Sequence, residues 1–293
     1  MLLATAAWLP AQSAGTPAWL LYEQGTSWAA QGEYGKALKS FKEAVLAAGV
    51  MPEAEAAIGD IYRAEGETRL AEKQYERAYN LRNALAIPAG KYDILLRWAG
   101  LYEDQEQYNA MESKLLMVVA DDRWSRGEQL PLQVERNYVD KGLDHVLSLY
   151  RFDSVFAAAA HSRLGWFYCR TGRYPQAVRS LLYAVVIQVS DVSEFLKRKD
   201  PDMAVTGLES FLNAALRDRE TRSWIETSSL FADLYYLSAA AWELGHPLRA
   251  QSVWKTLSSV KEAGKYADLS RRQLVKPFRE PFLDQSYRLP GSP

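Results

Sequence analysis

The 293-residue sequence predicts an all-α fold, a superhelical solenoid of antiparallel helix pairs, and three observations carry that expectation. The first is a register of 34 residues, in which Gly25/Gly59, Trp28/Tyr62, Gly32/Gly66, Ala37/Ala71, Phe41/Tyr75 and Ala44/Ala78 match in order. The second is the kind of residue that returns: small residues where two helices can approach closely, and aromatics beside them to fill the space. The third is the placing of Gly32 and Gly66 after helix-forming runs, where a left-handed backbone ends a helix and glycine adopts it without steric cost. An ordinary bundle needs apolar periodicity but has no reason to return Gly and Ala to the same places. Stacked repeats do.

The elements follow in order. In the first copy, near residues 18–51, one helix ends near Gly32 and a second runs from about Tyr34 to Ala48. The second copy, near 52–85, repeats that pattern. An extra six residues from Ala86 to Lys91, with Pro88 and Gly90, then predict a longer loop. The third copy, near 92–125, runs through Leu95, Trp98, Ala99, Tyr102, Tyr108, Met111, Leu115 and Val118, with Glu106 where the corner glycine belongs. The fourth, near 158–191, is the clearest: Leu164, Gly165, Tyr168, Gly172, Tyr174, Ala177, Leu181 and Ala184. The fifth, near 231–264, follows Leu234, Leu237, Ser238, Gly245, Ala250 and Trp254. Degenerate units fill the gaps of an array spanning 18–273. One includes a helix from about Leu132 to Tyr150; another starts a helix at Asp200-Pro201, where aspartate caps and proline fits the first turn. An extended tail occupies 274–293: Pro277, Pro281, Pro290 and Pro293 exclude helix. Its Phe278, Phe282 and Tyr287 suit an extended strand laid over the array or into its groove, with a disordered tail as the alternative.

These residues resemble the tetratricopeptide repeat (TPR) family, whose 34-residue helix-turn-helix unit has small residues at the helix crossing and bulky ones around them. The resemblance covers somewhat more than half of the chain. It implies a scaffold or adaptor that takes a peptide or protein partner on the face lined by the first helices. Position by position, that face receives Trp19, Tyr22 and Thr26, then Glu53, Asp60 and Arg63, then Asp93, Leu96 and Glu103. Ser162, Trp166 and Arg170 follow, and finally Tyr235, Trp242 and Glu243. Aromatics and arginine dominate interface energetics, so Tyr22, Arg63, Trp166, Arg170, Tyr235 and Trp242 are the candidate partner-binding residues. TPR domains that clamp a C-terminal carboxylate use lysine and asparagine where this chain has Tyr22 and Thr26, so that mode is not expected.

Composition narrows the function classes. The net charge is −1, without the basic field that draws proteins to phosphate backbones, so nucleic acid is not an expected partner. Cys169 is the only cysteine, which excludes an intrachain disulfide and a cysteine-based zinc site. His145, His161 and His246 lie in separate units without metal-ligand spacing, and His161 takes a repeat position that packs between helices. Glu103-Asp104 and Asp121-Asp122 are neighbours in sequence, diverge on a helix and read as solvent-facing. No glycine-rich phosphate loop or nucleophile elbow is present. The expectation is therefore a non-enzyme with no cofactor and no metal. Residues 1–14, apolar and uncharged with Ala11-Gln12-Ser13 as a small-x-small site, read as a signal segment. Export, to the periplasm of a bacterial envelope, is the expectation, with a cytoplasmic location as the alternative, and no later run is long enough to span a bilayer. A subunit of an envelope assembly or solute-transport complex is the alternative among binding proteins. A cell-wall glycan-active enzyme is the alternative from another class; it would need a glutamate held in an apolar cleft, and the sequence nominates none.

Overall fold

A computed structural model describes residues 16–127, 129–203 and 205–283. The expected signal segment and Tyr287 lie outside the described residues. Among them there are fifteen α-helices, packed mostly as sequential neighbours, and no strand. The chain divides into two compact units, meeting between Met111 and Glu112.

The first unit contains α1 (Ala18–Ala30), α2 (Tyr34–Ala48), α3 (Pro52–Ala64), α4 (Thr68–Asn80) and α5 (Gly90–Asp104), with α6 (Tyr108–Ala120) carrying the boundary. Each corner has the same geometry. Gly32 and Gly66 sit at φ 76° and 78°, and the N–H groups of Glu33 and Glu67 reach back to the carbonyls of Trp28 and Tyr62 at 2.9 and 2.8 Å. These bonds satisfy carbonyls that the helix end leaves open. Glu106 keeps the same corner without glycine, at φ 57°, with Gln107 N–H to Tyr102 O at 2.8 Å. A side chain in that conformation costs on the order of 1 kcal/mol. The crossings are close for the reason the sequence gives. A Cβ on Gly25 would lie 2.6 Å from the Phe41 ring, and one on Gly59 2.8 Å from Tyr75.

The second unit contains α7 (Gln129–Lys141), α8 (Leu143–Leu149), α9 (Val155–Arg170), α10 (Tyr174–Lys199), α11 (Leu208–Arg217), α12 (Arg219–Thr227), α13 (Leu230–Glu243), α14 (Pro247–Ser259) and α15 (Lys265–Val275). Two corners recur here, at Gly172 (φ 73°) and Gly245 (φ 80°). A Cβ on Gly165 would lie 2.4 Å from Leu181 Cγ, the tightest of the three crossings.

Two expected helices are corrected. The helix from Leu132 to Tyr150 is broken into α7 and α8 by Gly142, at φ 93°. Arg249 of α14 holds the break, donating to the carbonyls of Val139 (2.8 Å) and Asp140 (2.6 Å) at the end of α7. Asp200-Pro201 ends a helix instead of starting one. α10 runs 26 residues to Lys199, and the next helix begins at Leu208. Its continuity comes from burial: Val185, Val186, Ile187, Val189 and Val192 leave almost no surface exposed, so neighbouring helices hold it on several sides.

Candidate functional site

In the first unit, the first helices of three successive pairs line an open groove of about 770 Å³. Each contributes by its register. Trp19, Glu53 and Asp93 stand six residues before the small crossing residues Gly25, Gly59 and Ala99. Tyr22 and Ala56 stand three before. The long loop that follows α4 adds Leu85, Ala86 and Ile87. The apolar part is unusually open to water: Trp19 is 64% exposed and Ile87 70%. Such a cluster of large apolar side chains, rimmed by polar ones, is a feature of interaction sites.

The polar part is ordered. Arg97 joins Asp60 of α3 to Asp93 of its own helix, the latter at 2.5 Å, and the Tyr75 hydroxyl donates to the other Asp60 oxygen at 2.7 Å. This chain ties α3, α4 and α5 together and fixes the groove floor. Glu53 accepts the Ala86 N–H at 2.8 Å and anchors the loop at the rim. Tyr22 is half-buried, 5.5 Å from the Phe41 ring, and burial raises its hydroxyl above the ordinary range. Three carboxylates line the groove, Glu23, Glu53 and Asp93, against the single guanidinium of Arg97.

The other sequence candidates divide. Arg63 is not in the groove. Its Nε meets Asp104 at 2.5 Å and its guanidinium lies over Gly100, where a Cβ would stand 2.6 Å from Nη1, so its charge is engaged as a brace from α3 to α5. Tyr235 is corrected outright: it is fully buried, not outward-facing. It occupies the same register position as Tyr22, but Gln273 of α15 donates to its hydroxyl at 3.1 Å and Glu280 of the tail accepts from it. Trp166 is half-buried, 6.4 Å from Tyr236. Trp242 is half-buried against Trp254 at 5.8 Å. Arg170 offers its carbonyl to the Leu283 N–H at 3.0 Å. Arg170, Tyr235 and Trp242 thus come together, but beneath the chain's own tail.

Three buried carboxylates escaped the sequence reading: Glu55, which Arg77 meets at 2.9 Å and whose carboxyl burial raises, and two aspartates in the second unit. Asp233 of α13 has no exposed surface, and three donors converge on its Oδ2: Ser162 at 2.7 Å, Ser229 at 2.8 Å and Gln188 at 2.6 Å. Burial pushes its carboxyl up to about 7, against the opposing pull of those bonds; the Trp166 indole, whose N–H has no well-formed bond, adds a weaker opposing effect. Asp122, expected in solvent, is also fully buried, accepting from Ser154 Oγ at 2.5 Å and Trp124 N–H at 3.1 Å, with His161 Nε2 at 3.5 Å. Burial works to raise that carboxyl, but His161, Ser154 and Trp124 outweigh it and hold it below its ordinary value. Both aspartates point into helix interfaces, where a substrate has no approach. Glu103 and Asp104 are exposed, as read from sequence. Burial pushes the Cys169 thiol up to about 12. Among the described residues, no cluster of three His, Cys, Asp or Glu is placed to hold a metal, and no helix is long and apolar enough to cross a membrane.

No protein-family profile matches the chain. It is similar to an uncharacterised protein of Treponema pallidum (strain Nichols), 23% identical over 221 residues that cover 74% of this chain and 59% of that protein. It is also similar to an uncharacterised protein of Borreliella burgdorferi strain B31, 22% identical over 271 residues that cover 82% of this chain and 83% of that one. The chain thus spans less than two thirds of the length of the first of these relatives.

Proposed function

We propose that this chain is a TPR-type solenoid of the bacterial envelope that acts as a protein-interaction scaffold, taking an extended segment of a partner protein in the groove of α1, α3 and α5. The observation that carries the reading is the exposure of Trp19 and Ile87 over an ordered, acidic floor. Exposed aromatics on a rigid support contribute large contact area at low entropic cost on binding. The excess of carboxylates gives the partner segment its chemistry: apolar or aromatic side chains flanked by lysine or arginine. The apolar, uncharged opening of the sequence supports the envelope location.

The test is a panel of labelled extended peptides, aromatic-plus-basic against aromatic-plus-acidic, titrated into the full chain and read by fluorescence anisotropy. The basic set should bind and weaken with added salt, and Trp19→Ala should lower its affinity by about tenfold, the scale of one interface anchor. Equal binding of both sets, or binding untouched by Trp19→Ala together with Ile87→Ser, defeats the reading.

A further inference from the structure

The first-helix face of the second unit already holds an extended peptide, the segment Lys276–Leu283 of the chain itself. Main-chain bonds fix it at both ends. Near its start, the buried Gln273 side chain clamps Phe278, accepting its N–H and donating to its carbonyl, each at 2.9 Å. At its far end the Leu283 N–H reaches the Arg170 carbonyl. Side chains between these points are read individually. Arg279 pairs with Glu243 at 2.7 Å, and Glu280 accepts from the Tyr235 hydroxyl. Phe282 lies on the α9 corner, where a Cβ on Gly172 would stand 3.5 Å from its ring. Beneath Phe278 and Glu280 a narrow crevice is walled by Cys169, Tyr174, Trp242 and Trp254, leaving no space for a water.

The hold is specific but shallow. Phe278 is only half-buried, and Phe282 remains 46% exposed. So little apolar burial gives a free peptide weak affinity. Tethering makes the segment stay, because a short connection supplies an effective concentration in the millimolar range. Arg279 and Glu280 use recognition chemistry that any extended chain can present, and their partners Glu243 and Tyr235, like the Arg170 carbonyl, lie far from the tail in sequence; only the Gln273 clamp is local to it.

We propose that the face of α9 and α13 is a peptide site kept closed by the chain's own tail, and that its ligand is an extended partner segment of the same chemistry. That segment carries an aromatic residue, a basic residue and a glutamate in succession and, one residue further on, a second aromatic, in place of Phe278, Arg279, Glu280 and Phe282. This site rests on the second unit alone and is independent of the groove of α1, α3 and α5.

The probe is a labelled peptide with the sequence of residues 276–283, added to the full chain. The unaltered chain should show little saturable binding, since the tethered segment outcompetes it. A full-length Arg279→Ala/Glu280→Ala variant, which loosens the tail, should bind the peptide at least about tenfold more tightly. In that variant the alkylation rate of Cys169, the sole thiol and buried under the tail, should rise and fall back when peptide is added. Tyr235→Phe in the loosened chain removes the donor to the glutamate and should weaken the peptide by roughly fivefold, about one hydrogen bond. A loosened chain that keeps its helical signal and exposes Cys169 but takes no peptide overturns the proposal. So does equal binding by loosened and unaltered chains. Dimers of the loosened chain in sedimentation, with Cys169 protected without peptide, would assign the site to a second copy's tail and overturn the partner.

Discussion

The same register position meets an open groove in the first copy and protein in the fourth and fifth. Three residues before the small crossing residue stand Tyr22 in the first copy, Ser162 in the fourth and Tyr235 in the fifth. Tyr22 looks into an open groove; Ser162 is tied to Asp233, and Tyr235 lies under Gln273 and Glu280. The repeat therefore decides which way a side chain points, and long-range cover decides what it meets. A first-helix face is a binding surface only where nothing else in the chain has taken it.

Substitutions at the crossings test this contrast with the largest effect. Gly165→Ala drives a methyl to 2.4 Å from Leu181 Cγ, and Gly59→Ala drives one less deeply, to 2.8 Å from the Tyr75 ring. Chemical denaturation should show a loss of about 3 kcal/mol for the first and about 1–2 kcal/mol for the second, typical of overpacking. Hydrogen exchange should place each loss in its own unit. Equal losses would remove the distinction between a loosely and a tightly supported crossing.

The next effect concerns Asp233 and depends on pH. Its carboxyl titrates near 7 in the folded chain and near 4 when unfolded, so the folded state holds a proton that the unfolded state releases. Stability should fall as pH rises from about 4 to about 7 and level off above that. Asp233→Asn imitates the protonated acid and should remove that slope, matching the unaltered chain near pH 4 and exceeding it at pH 8. A parallel pH dependence in both proteins would show that another group is responsible.

A smaller gain is expected in the first unit. Glu106→Gly relieves a left-handed side chain at an otherwise glycine corner and should stabilise the chain by up to about 1 kcal/mol. No change, or a loss, would mean that the carboxylate of Glu106 compensates for its backbone. The smallest effect on stability belongs to Trp19→Ala, within about 0.5 kcal/mol because the indole is mostly solvated. A larger loss would make Trp19 part of the core and weaken the case for a docking site.

What was legible in the sequence was local. The corners at Gly32, Gly66, Gly172 and Gly245 follow from glycine's conformational freedom, and the crossings at Gly25, Gly59 and Gly165 from the small residue itself. Glu106 was visible as an exception, and the backbone adopts the corner there all the same. What was not legible depends on distant partners. Asp200-Pro201 has the composition of a helix start, and only the burial of α10 before it makes it an end. Asp122 reads as one of two surface acids until Ser154 and His161 arrive from the start of α9, beyond α7 and α8. Arg97 was missed because its role rests on Asp60, 37 residues away, although Asp93 at one helical turn was a hint. Tyr235 was misjudged because the tail that covers it lies 45 residues further on.

The length of α10 has a consequence for how the molecule comes apart. At about 1.5 Å per residue its 26 residues form a rod of roughly 39 Å, and that rod packs against α7, α8, α9, α11 and α13. Arrays of short hairpins tend to unravel one module at a time from their ends. A single strut shared by five neighbours forbids such stepwise fraying. The helices packed on it should thus be lost with it in one concerted event, whereas α14 and α15, which are not among those five neighbours, and α1 and α2 can peel away on their own.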